Sequence, residues 1–117
     1  MKTIIAGSRD ITSKAVVQAA MNVADQDHGI NITEGVSGAA RGVDTIGADL
    51  CMESDIPVRY FPAAWNTYGK RAGYLRNERM AHYADALIAI WDGKSRGTKH
   101  MIDLARSEGL KVYVHSV

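Results

Sequence analysis

The chain has 117 residues, enough for one domain with one real core, and its 46% apolar and 23% charged content is that of a soluble globular protein. A net charge of +1 gives no overall attraction to nucleic acid or to an anionic membrane, so any basic site is local. The single cysteine, Cys51, excludes an intrachain disulfide and a cysteine-built zinc site and fits a reducing cytoplasm, while no apolar run approaches the ~20 residues of a membrane span.

Lys2–Ala6 reads as a buried strand ending in the turn Gly7-Ser8-Arg9, too short and too soon broken for a signal peptide. Thr12 or Ser13 caps the helix that follows, in which Val16, Ala19, Ala20, Val23 and Ala24 recur as one core-facing stripe and Gly29 is the stop. The second strand is expected at Ile30–Thr33, running into a glycine-rich loop. The helix after that loop starts at Gly42 or Val43, turns Val43, Ile46, Gly47, Leu50 and Cys51 inward, and ends before Pro57. Val58–Phe61 is the third strand. Residues 62–70 show no period and read as a surface loop, holding Trp65, Asn66 and Tyr68, that can fold over a site. A helix from about Arg71 to Tyr83 precedes a nearly all-apolar fourth strand, Ala86–Trp91, of the kind covered on both faces. Asp92–Thr98 is a second glycine-bearing turn. It opens a helix with Thr98, Met101, Ile102 and Ala105 inward; Gly109 closes that helix, and Lys111–His115 is the last strand.

This alternation predicts an α/β fold over residues 1–117: a single Rossmann-like, doubly wound parallel sheet of about five strands with helices on both faces. The simplest strand order is 3-2-1-4-5, which puts a ligand crevice at the carboxyl ends of strands one and four.

Three turns then meet at one edge. Gly35, Gly38 and Gly42 let the backbone approach a bound group, and a helix beginning at Gly42 or Val43 aims free N–H groups and a positive dipole end at the same space, an arrangement suited to phosphate. Nine of the 14 basic residues lie in or near these turns and the third predicted helix (Arg9, Arg41, Lys70, Arg71, Arg76, Arg79, Lys94, Arg96, Lys99), against the acids Asp10, Glu34, Asp44, Glu78 and Asp92. That local excess predicts an anion site; an ion-pair rim is the plainer alternative. Arg76 falls on an inward stripe with Met80 and Tyr83, and a guanidinium keeps its charge, so it needs an anionic partner: Glu34 or Asp85 of the protein, or a ligand phosphate. Asn77 contacts a base or sugar, or braces a loop. Ser8 and Ser37 donate to phosphate or serve their turns; Asp44 favours its helix start or binds a ribose hydroxyl; Thr98 caps its helix or touches ligand. The expected ligand-binding set is Gly7, Ser8, Arg9, Gly35, Ser37, Gly38, Arg41, Gly42, Asp44, Arg76, Asn77, Gly93, Ser95, Gly97 and Thr98.

The P-loop pattern, a Gly-x-Ser-x-Gly elbow and a complete dinucleotide fingerprint are all absent, and the four histidines lack ligand spacing, so no metal and no cofactor is expected.

Gly7-Ser8-Arg9 with Ser37-Gly38-Ala39-Ala40-Arg41-Gly42-Val43-Asp44 resembles the Rossmann-like core of the DNA-processing protein DprA. Arg76-Asn77-Glu78-Arg79-Met80 followed by Ala84-Asp85-Ala86-Leu87-Ile88-Ala89 is similar to the LOG proteins, the cytokinin-activating phosphoribohydrolases, with Asp92–Thr98 where those enzymes carry Pro-Gly-Gly-x-Gly-Thr-x-x-Glu. Both belong to the SLOG superfamily, and the strongest resemblance is to its small YspA-related family of bacteria and phages (DUF2493). The resemblance implies a nucleotide-derivative binding fold, homo-oligomerisation, and a match of Arg76 to the arginine that LOG enzymes use in catalysis. The motif glutamate is Met101 here, so the expected carboxylate is missing, and Glu34 or Asp92 are the candidates to replace it.

The expected function is therefore binding of a nucleotide or ADP-ribose-like molecule, as a cytoplasmic sensor or sequestering module rather than an enzyme. The alternatives are a LOG-like nucleoside 5′-monophosphate phosphoribohydrolase built on Arg76 with Glu34 or Asp92, and DprA-like single-stranded DNA binding, against which the charge and the 7% aromatic content speak.

Overall fold

Residues 86–90 are all buried, and so are Ile4 and Ile5 of the strand beside them, which makes this pair the middle of the molecule. The computed structural model describes residues 1–117. Its strands are β1 (Lys2–Gly7), β2 (Glu34–Ser37), β3 (Val58–Tyr60), β4 (Ala86–Trp91) and β5 (Lys111–Ser116). They form one sheet in the order β3-β2-β1-β4-β5, with every neighbouring pair parallel. The helices are α1 (Lys14–His28), α2 (Val43–Glu53), α3 (Trp65–Tyr68), α4 (Ala72–Tyr83) and α5 (Arg96–Ser107), with a 3₁₀ turn at Gly69–Arg71 between α3 and α4.

Parallel neighbours need crossovers, and each crossover helix covers a sheet face. Side chains alternate along a strand, so β1 sends Ile4 and Ala6 to one face and Ile5 to the other, while β4 sends Leu87 and Ala89 opposite to Ile88 and Ile90. The first face packs against Met80 and Ala81 of α4 and Met101, Ile102 and Ala105 of α5. The second packs against Val17, Ala20 and Ala24 of α1 and Val43, Leu50 and Cys51 of α2. This is the doubly wound arrangement expected from the sequence, with the strand order reversing between β1 and β4.

Local signals set most boundaries. Ser13 caps α1, accepting from Val16 N at 3.3 Å, and Gly29 ends it in the left-handed conformation (φ 64°). Ser95, not Thr98, caps α5 by accepting from Thr98 N at 3.3 Å.

Three expectations need correction. The second strand is Glu34–Ser37 rather than Ile30–Thr33, because its register follows Lys2–Ile4 of β1 and Val58–Tyr60 of β3. The α1 stripe is Val17, Ala20, Met21 and Ala24, with Ala19 exposed and Val16 and Val23 only half-buried. Residues 65–71 are helical rather than irregular.

Candidate functional site

An open cleft of about 600 Å³ lies at the carboxyl ends of β1 and β4, where the turns after β1, β2 and β4 come together. The first turn supplies Gly7, Ser8, Arg9 and Asp10; the second supplies Ala40 and Arg41, with Asp44 from the start of α2. The third supplies Asp92, Lys94 and Ser95, continuing into Gly97, Thr98 and Met101 of α5. The remaining wall is helical: Trp65, Lys70, and from α4 Gly73, Tyr74, Arg76, Asn77 and Met80. Five cations, Arg9, Arg41, Lys70, Arg76 and Lys94, meet three carboxylates, Asp10, Asp44 and Asp92.

The turns are built by their own polar groups. Ser8 Oγ accepts from Asp10 N at 3.2 Å, and Ser8 O accepts from Ile11 N and Val43 N, tying the first turn to α2. Ser37 Oγ donates to Asp44 O and accepts from Ala39 N, so its hydroxyl is committed to the loop. Gly42 has φ 76°, and a Cβ there would stand 2.6 Å from Arg9 O, so only glycine lets the two turns touch. Asp92 Oδ1 accepts from Lys94 N (2.8 Å) and Ser95 N (2.9 Å); these bonds, that from Ser95 first, hold its carboxyl below the usual carboxylate range. Asp92 is thus a turn former lining the cleft and a weak base.

Arg76 and Asp44 form the centre. Arg76 Nη1 donates to Gly38 O, and Nε donates to Asn77 Oδ1 at 3.0 Å. The guanidinium has five N–H groups, and the other three have no hydrogen-bond partner in the protein. No carboxylate lies within ion-pair distance of it, although Asp44 acts on it through space. Neither protein partner expected from the sequence is present: Glu34 accepts from Tyr83 OH, and Asp85 accepts from Lys2 N. Gly38 makes the convergence possible, since a Cβ on it would meet Arg76 Nη1 at 2.5 Å and Asp44 Oδ2 at 2.7 Å.

Asp44 is buried, accepts from Ala40 N at 3.3 Å, and has its carboxyl pushed up to about 6. Burial is the main cause; the Arg76 charge, the N–H groups of Ala40 and Gly7, and Arg9 pull the other way. Burial likewise lowers the pKa of Arg76, with Asp44 opposing.

Asn77 is 6% exposed and braces rather than reaches out. Its Nδ2 donates to Gly97 O at 3.3 Å and to His100 Nδ1 at 3.2 Å. Because the Asn77 amide nitrogen can only donate, Nδ1 is the acceptor in the bond to His100; desolvation lowers the pKa of His100, and Tyr74 packs edge-on against its ring at 4.5 Å. Arg76 is therefore aimed by a chain running through Asn77 and His100 to α5.

Of the expected ligand-binding residues, Gly7, Ser8, Arg9, Arg41, Asp44, Arg76, Asn77, Ser95, Gly97 and Thr98 line this cleft. Gly38 lines a shallower depression beside it. Gly42 and Ser37 hold the second turn from behind. Gly35 lies inside β2, where a Cβ would press on Cys51 Sγ at 2.9 Å, and Gly93 (φ 79°) shapes its turn without lining the cleft. Glu34 begins β2 opposite Lys2, at the amino edge of the sheet, and takes no part. Of the cations expected nearby, Lys99 pairs with Asp103 at 2.8 Å and Arg79 lies over Phe61. Lys70, one of the cations expected nearby, does line the cleft, whereas Gly73, Tyr74, Met80 and Met101 were not anticipated. The signal was present, because Gly73, Arg76, Asn77 and Met80 recur at i, i+3, i+4 and i+7 along one face of α4.

No group of three or more His, Cys, Asp or Glu side chains is gathered to hold a metal ion, and no helix is long and apolar enough to cross a membrane.

Fold and cleft together define a doubly wound parallel α/β protein of Rossmann-like form, with a cationic cleft at the strand-order reversal. No family model and no solved structure matches the chain. It is 34% identical to the Gene 61 protein of Mycobacterium phage D29, over 122 aligned positions covering 95% of this chain and 93% of the phage protein. The chain belongs to the family of that phage protein.

Proposed function

We propose that the cleft binds a nucleotide or ADP-ribose-like molecule through its phosphate, and that the protein acts as a sensor or sequestering module of SLOG type. The carrying observation is Arg76: partly buried, oriented by Gly38 O and Asn77, and with three N–H groups that no protein acceptor takes. A desolvated guanidinium with spare donors matches a phosphate's geometry. The cleft volume lies in the range of small-molecule sites, and its position at the strand-order reversal is where open α/β sheets bind ligands. The start of α5, with Ser95 at its cap, adds the positive end of a helix dipole along one wall.

One observation favours a hydrolytic second reading. Asp44 is a buried carboxylate whose pKa of about 6 suits proton transfer near neutral pH, and it faces the same space as Arg76. It replaces Glu34 and Asp92 as the candidate base in a phosphoribohydrolase, in which water would add at C1′ and the base would leave. Met101 fills the position of the LOG glutamate with an apolar side chain, and that supports binding without turnover.

Native mass spectrometry of the purified protein tests the binding reading. The expected spectrum shows a phosphorylated small molecule on the wild type and none on Arg76→Ala. Free base released from nucleoside monophosphates, and lost with Asp44→Asn, would establish the hydrolase instead.

A further inference from the structure

Trp65 and Tyr74 are 47% and 44% exposed, and both line the cleft that holds Arg76. An exposed aromatic side chain on its own is ordinary. These two are held in place. The Trp65 ring edge lies against α4 at Gly73, where an added Cβ would stand 3.2 Å from Trp65 Cη2, and the Arg9 guanidinium sits 5.6 Å from the ring centroid. Tyr74 is fixed edge-on by His100, at 4.5 Å between centroids. A sugar phosphate would use Arg76 and the turn at Ser8 and Arg9, and would leave the exposed parts of both rings uncovered. A planar π system covers them.

We infer that the ligand carries a nucleobase joined to its phosphate, that the base stacks on Trp65, and that Tyr74 flanks it. This rests on the phosphate-binding reading above and adds a second subsite to it. The base subsite selects for a flat aromatic ring rather than for a hydrogen-bonding edge, so it tolerates more than one base. The Arg9 guanidinium beside the ring joins the two subsites, because it reaches both the indole and the phosphate-facing turn.

Calorimetric titration of the wild type, Trp65→Phe and Trp65→Ala with the four nucleoside 5′-monophosphates and with ribose 5-phosphate tests this. At least one nucleotide is expected to bind more tightly than ribose 5-phosphate. Trp65→Ala should weaken that nucleotide about 5- to 150-fold, the span of one base–aromatic stack, and weaken ribose 5-phosphate by a smaller factor, through Arg9 alone. Trp65→Phe, which keeps a ring, should retain most of the affinity, and the wild-type tryptophan fluorescence should quench on binding. Equal affinity for nucleotides and ribose 5-phosphate, both changed to the same extent by Trp65→Ala, would overturn the base subsite and leave the phosphate cleft standing. Binding of neither would overturn both.

Discussion

Replacing Asp44 by asparagine keeps the side-chain shape and removes the charge, so it isolates what a buried carboxylate does in this fold. The folded-state pKa is about 6 against an ordinary value of 3.8. Between these values the native state holds a proton that the unfolded chain releases, so the group's contribution is complete below about pH 3.8 and is lost as pH rises through 6. At about 1.36 kcal/mol per pKa unit the full loss is about 3 kcal/mol. About 2 kcal/mol of it falls between pH 4.5 and 8, because the unfolded carboxyl is already mostly ionised at pH 4.5. An unfolding entropy of about 2.1 cal/mol/K per residue turns that into a relative Tm change of about 8 °C. Thermal melts of wild type and Asp44→Asn across this range are the assay. The variant is expected to gain on the wild type by that amount toward pH 8, since the other carboxylates are common to both and cancel. A difference that stays flat, or that grows toward low pH, would refute the burial argument.

Further outcomes follow from the same geometry. Arg76→Ala removes the cation that holds the Asp44 pKa down, so the step seen in Asp44→Asn comparisons should move to higher pH; two-dimensional NMR of the Asp44 carboxyl reads it directly. Gly38→Ala places a methyl where Arg76 Nη1 and Asp44 Oδ2 now converge, so it should cost about 1–3 kcal/mol in chemical denaturation and abolish nucleotide binding. Gly93→Ala meets no neighbour, so it should cost only the roughly 1–2 kcal/mol of a left-handed alanine and leave ligand affinity intact. ADP-ribose, whose pyrophosphate does not titrate near neutrality, should bind more tightly at pH 5.5 than at 7.5, because its charge beside Asp44 favours the protonated carboxyl; calorimetry in buffers of different ionisation enthalpy would show the proton uptake.

The sheet order was readable because β4 is a continuous apolar run and the strand–helix alternation leaves few topologies. The second strand was misplaced because Ile30 and Ile32 have strand propensity, whereas Glu34-Gly35-Val36-Ser37 does not. What makes the latter a strand is tertiary: α2 lies so close over it that Cys51 leaves no space for a side chain at Gly35. That four-residue shift also explains the misreading of Glu34, which a strand ending at Thr33 would have put at the carboxyl edge and which the real strand puts at the amino edge. In α1, doubled apolar pairs allowed two stripes one residue apart, and only packing on the sheet selects between them. Helix α3, at four residues, is too short for periodicity and is fixed by Trp65 lying on Gly73. The glycine-bearing turns and Arg76 were legible as a candidate site because glycine spacing and a charge on an inward stripe are local signals. The link from Asn77 to His100 was not, since it joins residues 23 apart across two helices.

The most direct test of the central claim is a binding cycle that removes the phosphate from the ligand and the guanidinium from the protein in turn. AMP and adenosine are titrated into wild type and Arg76→Ala, each checked for folding by circular dichroism. If Arg76 holds the phosphate, AMP should lose at least ~10-fold in affinity on substitution, about 1.4 kcal/mol of coupling, while adenosine binds both proteins alike. Equal losses for the two ligands, or wild-type binding of AMP no tighter than of adenosine, would contradict it.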